Sequence, residues 1–518
     1  MQSISHVHIA YGSESGNAEQ LAQQLAQQPF LQPYQPTIAT LNETELTHLE
    51  PQSLLLIITS SFGDGEPPEN AEDFIENFLA NSTAYQGRYA IFGLGDVSYD
   101  KFCGYSRKLD QFFQTQQLPA LIERVDADLN YQEIFKHWLP LLEQALNKPE
   151  AAPLTHELSV KVYDENQTYA AQVLEIQRLA QSEPAVYHLR LSLENSGIFY
   201  QAGDLIYVQV QQPDDLLNMF VQWFGDDNAA QQLRHKELRL LTKNVLRDLA
   251  KICSNHALKE LLKIANKKTL EQYLYGHDLL DVLRDFDPQK TISLADLQAI
   301  LPNLTARAYS ISSCGKTHPE YVDLCIRQVQ YQLADRQYYG TASCHLAQLQ
   351  AGDFVQIFAK ANPHFHLPEN DKPIVMIGSG TGIAPYIGFL QNLAAQTSAR
   401  QTYLFFGERY AEKDFLYQTE LENYLKAGTL TQLFTAFSRD QAEKCYVQDA
   451  LAQQAALIWQ LIEQGAYFYV CGSKTMSKAI DETLLNVAAQ VGNQPYVDAF
   501  NNIVAQLVAD KRLFRDVY

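Results

Sequence analysis

The run Arg307-Ala-Tyr-Ser-Ile-Ser-Ser313 sets three kinds of chemistry on one short alternating stretch. Arg307 is a cation for a phosphate, Tyr309 a flat ring for stacking, and Ser310 a hydroxyl for the edge of whatever Tyr309 covers. Such alternation also fits any half-buried strand, so the run takes its meaning from its company. Gly340-Thr341-Ala342-Ser343 is a small-residue turn opening a helix, suited to a pyrophosphate. Gly378-Ser-Gly380-Thr381-Gly-Ile-Ala-Pro385 follows an apolar strand but is not a G-x-G-x-x-G fingerprint. Residues 398–400, Ser-Ala-Arg, offer no acid for a ribose 2′-hydroxyl. Ser438-Arg439 and Lys444-Cys-Tyr446-Val-Gln448 instead offer cations and hydroxyls for a 2′-phosphate, with rings and guanidinium planes for a base. Cys471-Gly472 ends a further apolar strand, where a Cys is most often plain core.

Three more loops lie in the first 150 residues. Gly12-Ser13-Glu14-Ser15-Gly16-Asn17 joins a strand to a helix, and its backbone N–H groups and hydroxyls can close on a phosphate without a cation. Ser60-Ser61-Phe62-Gly63-Asp-Gly-Glu-Pro-Pro-Glu-Asn70 and Gly95-Asp96-Val-Ser-Tyr99-Asp-Lys-Phe102-Cys103 follow two further strands. Phe62 and Tyr99 are rings that could lie against a flat cofactor.

Apolar strands at His6–Tyr11, Leu54–Thr59 and Ala90–Leu94, with a helix over Ala18–Gln28, predict a doubly wound sheet presenting those loops at its carboxyl edge. Asn147–Glu157 reads as a linker of about 30 Å when extended. From Leu158 short β-like runs follow: Leu158–Tyr163, Tyr169–Gln177, Val186–Leu193 and Leu205–Val210. Asp214 to about Leu301 is helical in character, as in Leu238–Lys251 and Leu258–Ala265, and reads as an insertion between barrel strands. The barrel resumes at Arg307 with a strand over Val322–Tyr331 and a helix over Cys344–Leu349. Pro373–Ile377, Leu433–Phe437 and Tyr467–Gly472 predict a second parallel sheet.

The order of these motifs over nearly the whole chain resembles the diflavin NADPH reductase family, a flavodoxin-like domain fused to a ferredoxin–NADP reductase-like module. That resemblance implies a multidomain α/β plus β-barrel fold: a flavodoxin-like FMN domain at 1–146, a linker at 147–157, an antiparallel FAD-binding barrel at 158–368 with a helical connecting insertion near 214–301, and a Rossmann-like NADP-binding domain at 369–518. It implies FMN held by Ser13, Glu14, Ser15, Gly16, Asn17, Ala18, Ser60, Ser61, Phe62, Gly63, Gly95, Asp96, Tyr99, Phe102 and Cys103. FAD would be held by Arg307, Tyr309, Ser310, Ser313 and Gly340 to Ser343, and NADPH by Gly380, Thr381, Ser438, Arg439, Lys444, Tyr446, Gln448 and Asp481. Ser310, Cys471 and Asp516 would be the hydride-site trio, with Tyr518 covering the FAD ring. The position after Gly472 is usually acidic in the family, and this chain has Ser473.

The implied activity is a relay from NADPH to FAD to FMN to an acceptor protein. The ending Arg-Asp-Val-Tyr518 resembles the sulfite reductase branch, which makes a sirohaem sulfite reductase subunit the expected acceptor. Two other readings stand beside it: the same relay serving a haem monooxygenase or an iron–sulfur protein, and a flavoprotein that senses NADPH without turnover. The flavodoxin-like stretch begins almost at Met1, where that branch carries an assembly segment, so a monomer or small assembly is expected.

Composition bounds the rest. At 518 residues several domains are required. The net charge of −21 argues against a nucleic-acid partner, and residues 1–150 hold 20 Asp and Glu against 7 Lys and Arg. That acidity suits solubility or a docking face for a basic partner. The seven cysteines (103, 253, 314, 325, 344, 445 and 471) never form C-x-x-C, which predicts reduced thiols and no metal site. With no signal peptide and no apolar run of membrane length, a cytoplasmic protein is expected.

Overall fold

Strands that end in glycine-rich loops and are followed by amphipathic helices can bury both faces of a parallel sheet, and the first part of the chain does so. The computed structural model describes all residues except 1–3, 45–52, 63–64, 82–84, 98–100, 130, 150–151, 157, 159–162, 397–399 and 493–501. The chain divides into two units, Met1–Tyr163 with Asn195–Phe199, and Asp164–Glu194 with Tyr200–Tyr518.

In the first unit β1 (His6–Gly12), α1 (Asn17–Ala26), β2 (Thr37–Thr40), β3 (Ser53–Ser60), α2 (Phe74–Asn81), β4 (Arg88–Leu94), α3 (Gly104–Thr115), β5 (Val125–Ala127) and α4 (Tyr131–Leu146) follow in order. The sheet is parallel, in the order β2-β1-β3-β4-β5. Alternate residues of β3 divide between two cores. Leu54, Leu56 and Ile58 pack with Leu21 and Leu25 of α1 and Trp138 and Leu142 of α4. Leu55 and Ile57 pack with Phe74 and Phe78 of α2 and Leu109 and Phe113 of α3. The order reverses between β1 and β3, and at such a switch point the loops leave a crevice. Beyond α4, Leu154 of the expected linker is tied down: its N–H donates to Leu121 O at 3.2 Å and its carbonyl accepts from Glu123 N at 3.0 Å. Most of the strand expected over Leu158–Tyr163 lies outside the described residues.

The second unit begins with β6 (Tyr169–Arg178), β7 (Val186–Ser192) and β8 (Leu205–Gln209). Seven helices follow: α5 (Asp214–Phe224), α6 (Asn228–Leu233), α7 (Lys243–Ile252), α8 (His256–Leu261), α9 (Lys267–Leu274), α10 (Leu279–Phe286) and α11 (Leu294–Ile300). They share their own core of Leu217, Phe220, Leu246, Leu249, Leu280 and Leu297. The barrel strands then resume with β9 (Arg307–Ser310), β10 (Tyr321–Arg327), the hairpin β11 (Gln330–Leu333) and β12 (Arg336–Tyr339), helix α12 (Thr341–Ala347) and β13 (Phe354–Lys360). The six-stranded sheet runs β10-β7-β6-β13-β8-β9. A bridge between Ile311 and Leu324, with Ser312 N donating to Asp323 O at 2.8 Å, joins its two ends into a barrel.

Two expectations are corrected here. The helix expected over Leu238–Lys251 starts only at Lys243, because the Thr242 hydroxyl accepts from Val245 N and caps it. The strand expected over Val322–Tyr331 stops at Arg327, and Tyr331 belongs to the hairpin β11–β12.

The remaining chain comprises β14 (Ile374–Ser379), α13 (Ala384–Ala394), β15 (Thr402–Glu408), α14 (Ala411–Asp414), α15 (Gln418–Ala427), β16 (Gln432–Phe437), α16 (Val447–Gln453), α17 (Ala455–Glu463), β17 (Tyr467–Gly472), α18 (Lys474–Gln490), α19 (Ile503–Ala509) and β18 (Leu513–Val517). Its parallel sheet has the order β16-β15-β14-β17-β18. The terminal heptapeptide is therefore an ordered edge strand. Phe514 stacks on Tyr469 at 5.1 Å, and the Arg512 guanidinium donates to the carbonyls of Ala466 and Ile462.

Candidate functional site

In the first unit the loops after β1, β3 and β4 meet at one sheet edge, and their own hydrogen bonds shape them. Gly16 precedes α1 with φ +80°, a left-handed conformation that glycine adopts without strain. Ser13 N donates to Asn70 Oδ1 at 2.9 Å, the Ser13 hydroxyl accepts from Ala18 N at 3.3 Å, and Glu14 accepts from Glu69 N at 2.7 Å. Ser15, Gly16 and Asn17 are at least partly open to solvent, and the first turn of α1 leaves N–H groups free of intrahelical acceptors. The Ser60 hydroxyl donates to Gly12 O at 3.3 Å, joining the first and second loops. Ser61 accepts from Tyr105 N at 3.0 Å, and the Phe62 ring is 59% exposed. Gly95 N donates to Ala127 O, while Phe102 and Cys103 are buried beneath the third loop. A Cβ on Gly95 would lie 2.7 Å from Cys103 Sγ, so only glycine fits. Asp96 lies beside that turn and is partly open. Gly63 and Tyr99 lie outside the described residues. A phosphate-bearing flat ligand fits this edge: it offers small residues, hydroxyls and an exposed ring.

The second unit contains a cleft of about 1490 Å³ between the β9 side of the barrel and the carboxyl edge of the terminal sheet. Arg307, Tyr309, Ser310, Gly340, Thr341, Ala342, Ser343, Gly380, Thr381, Ser438, Tyr446, Gln448, Asp516 and Tyr518 all line it. Such a volume fits two nucleotides more readily than one small ligand. Arg307 pairs with Glu237 at 2.6 Å and donates to Thr305, so its guanidinium is anchored at the cleft wall. The Ser343 hydroxyl accepts from Val329 N at 3.0 Å, fixing the turn before α12.

At one end three strands bring Ser310, Cys471 and Asp516 together. Cys471 and Asp516 face each other in the β17–β18 register. The Ser310 hydroxyl donates to Asp516 Oδ2 at 2.5 Å, and the Cys471 thiol points at the same oxygen from 3.8 Å. Burial, and then the Asp516 charge, push the Cys471 thiol well above its ordinary range, so it stays protonated. One carboxylate at the cleft wall thus gathers a hydroxyl that lines the cleft and a thiol buried behind it. Directly beside it the loop after β14 passes close to β17. A Cβ on Gly382 would meet Cys471 O at 2.1 Å. Tyr518 N donates to Gly472 O at 3.1 Å, and its hydroxyl lies 2.9 Å from that of Thr381, so the ring lines the cleft. Ser473 caps α18 by accepting from Met476 N at 3.1 Å.

Five expected residues stand outside the cleft lining, among them Cys471, which is fully buried against Asp516. Ser313 is fully buried in the barrel wall, where it accepts from Asp323 N at 2.9 Å and lies 2.6 Å from the Tyr200 hydroxyl. Asp481 on α18 is engaged by Arg515 at 2.7 Å. Arg439 and Lys444 sit on the exposed rim beside Ser438 and Tyr446. The cleft also holds residues that sequence reasoning missed: Arg239, Arg327, Glu408 and Arg409. A charge ending an otherwise apolar strand was the available signal for Arg327 and Glu408. Arg239 and Arg409 had none.

Among the described residues no helix is long and apolar enough to cross a membrane. The flavodoxin family model matches residues 9–138, the FAD binding domain model residues 239–345, and the oxidoreductase NAD-binding domain model residues 376–482. The chain is 34% identical to the sulfite reductase [NADPH] flavoprotein alpha-component of Bacillus subtilis, over 99% of this chain and 89% of that protein. The proteins of the same description from Vibrio cholerae (El Tor Inaba) and Escherichia coli O6:K15:H31 are 34% and 33% identical, over 98% and 99% of this chain and 87% and 90% of theirs.

Proposed function

Because this chain belongs to the family of NADPH sulfite reductase flavoprotein alpha-components, we propose that it draws hydride from NADPH and delivers electrons singly to a sulfite reductase haemoprotein. It is a flavoprotein oxidoreductase using FAD, FMN and NADPH. When bound, the two flavins supply the conversion of a hydride pair into single electrons.

The observation that carries this reading is the Ser310–Asp516–Cys471 group at the cleft wall. Loss of hydride leaves positive charge on a nicotinamide ring, and a fixed carboxylate beside it stabilises that charge as it develops. Asp516 supplies the carboxylate. Ser310 and Cys471 hold it in place by directing their hydroxyl and thiol hydrogens at Oδ2. Arg307 and the Gly340–Ser343 turn would hold the FAD phosphates, and Tyr309 its ring. Ser438, Arg439, Lys444, Tyr446 and Gln448 would take the adenosine 2′-phosphate, so NADP is preferred over NAD. Tyr518 would cover the FAD ring and swing aside for the nicotinamide. Thr381, bonded to the Tyr518 hydroxyl, would set its resting position. In the first unit Ser13 to Ala18 would hold the FMN phosphate, with Ser60, Ser61, Phe62, Gly95 and Asp96 about the rest of the cofactor.

The acidic first 150 residues would form the docking face for the haemoprotein in the cytoplasm. Anaerobic stopped-flow tests the whole reading: NADPH-reduced protein is mixed with a sirohaem sulfite reductase subunit and flavin reoxidation is followed. Fast reoxidation that slows with salt and yields sulfide is expected. Reoxidation by ferricyanide but not by that subunit would discard the acceptor.

A further inference from the structure

The cleft carries an ion pair that the Ser310–Asp516–Cys471 group does not use. Arg327 ends barrel strand β10 and Glu408 ends β15 of the terminal sheet, and Arg327 Nη2 donates directly to Glu408 Oε2. Both line the cleft. The pair stands against the glycine loop: a Cβ on Gly380 would come within 3.0 Å of Arg327 Nη2 and 3.5 Å of Glu408 Oε2. The Glu408 side chain is only 5% exposed, and its other oxygen accepts from Arg409 N at 3.0 Å. A withdrawn carboxylate is tolerated there because two cations face it, Arg327 at Oε2 and Arg409, whose Nε lies 3.4 Å from Oε1. At a loop built for a dinucleotide, however, a carboxylate is the wrong charge, and the guanidinium beside it is the right one.

We propose that Glu408 keeps Arg327 in reserve, and that Arg327 exchanges Glu408 for the nicotinamide-side phosphate of NADPH when the nucleotide enters. This rests on the cleft being the NADP site. Arg327 is 25% exposed and its planar fork offers five donors, so it can turn from one anion to another without leaving its strand. When NADP⁺ departs, Glu408 recovers the guanidinium. The carboxylate therefore competes with product, trading binding strength for release. Arg327 is in this way an affinity-setting residue and Glu408 a positioning residue acting through it.

The test titrates flavin-loaded wild type, Glu408→Gln, Arg327→Gln and the double variant by calorimetry. The ligands are NADP⁺ and adenosine 2′,5′-bisphosphate, which ends at the adenosine 5′-phosphate. Removing one nearby charge makes Glu408→Gln bind NADP⁺ on the order of tenfold more tightly. Bisphosphate affinity stays unchanged, and KM for NADPH and kcat fall together as release slows. Arg327→Gln weakens NADP⁺ by a similar factor, and the double variant lies between. Equal shifts for both ligands, or unchanged NADP⁺ affinity in a Glu408→Gln protein that retains its flavins and binds the bisphosphate, overturn the exchange. A wild-type protein that fails to bind the bisphosphate overturns the NADP reading instead.

Discussion

Replacing Asp516 by Asn keeps its volume and removes its charge. In the structure Asp516 Oδ2 receives the Ser310 hydroxyl at 2.5 Å and faces the Cys471 thiol at 3.8 Å, so one atom organises both partners. A hydrogen bond to a charged acceptor contributes about 1.5–3 kcal/mol. If that contribution is realised only as positive charge grows on the nicotinamide, the barrier rises by the same amount, which slows hydride transfer by about 10- to 150-fold. The assay is anaerobic stopped-flow bleaching of flavin absorbance by NADPH, with NADPH deuterated at the transferred position run in parallel. The variant is expected to reduce slowly with a larger isotope effect, because hydride transfer becomes limiting. NADP⁺ affinity should change little. A variant with full flavin content that bleaches at the wild-type rate with an unchanged isotope effect would refute the assignment of Asp516.

Three further outcomes are expected. Tyr518→Ala should relax the preference for NADPH over NADH, because the nicotinamide no longer displaces a ring held at Thr381; unchanged kcat/KM ratios would remove Tyr518 from that role. Gly382→Ala places a methyl about where Cys471 O already lies, so loop and strand must part; normal flavin reduction in this variant would contradict the close approach. The Cys325 thiol is pushed up to about 12 by burial, whereas an unfolded thiol ionises near about 8.5. Above that pH the unfolded chain binds fewer protons than the folded one, so stability falls as pH rises. The wild-type advantage over Cys325→Ser should then shrink by about 1.4 kcal/mol per pH unit beyond about 8.5, and parallel denaturation curves from pH 8 to 10 would refute it.

What was legible in the sequence is what local chemistry dictates. A glycine-rich turn after an apolar strand announces itself, and so do the alternating run at Arg307 and the cation-and-hydroxyl group at Ser438–Gln448. Partners that only folding brings together stay silent. Ser13 depends on Asn70 and Glu14 on Glu69, each more than fifty positions away, and nothing in either stretch names the other. Arg327 and Glu408 are single charges at strand ends whose meaning lies in the gap between barrel and sheet. Ser313 is the reverse case. By pattern it belongs with Ser310, but the barrel's closure at Ile311–Leu324 turns it into the wall, where it ties Tyr200 to Asp323. The cap at Thr242 is silent for another reason: the apolar periodicity from Leu238 onward masks where the helix begins.

The pairing of β18 with β17 acts as a gauge for the site. Side chains alternate faces along a strand, so a slip of one residue would set Arg515 or Val517 opposite Cys471 in place of Asp516. The first would bring a cation to the place where positive charge must develop, and the second would leave nothing to receive the Ser310 hydroxyl. The alignment is pinned from both sides of the strand, by Arg512 on the Ala466 and Ile462 carbonyls, by Phe514 on Tyr469 and by Arg515 on Asp481. A single residue gained or lost between Arg512 and Asp516 would move Asp516 off Cys471, so this segment is a ruler whose markings are individual amino acids.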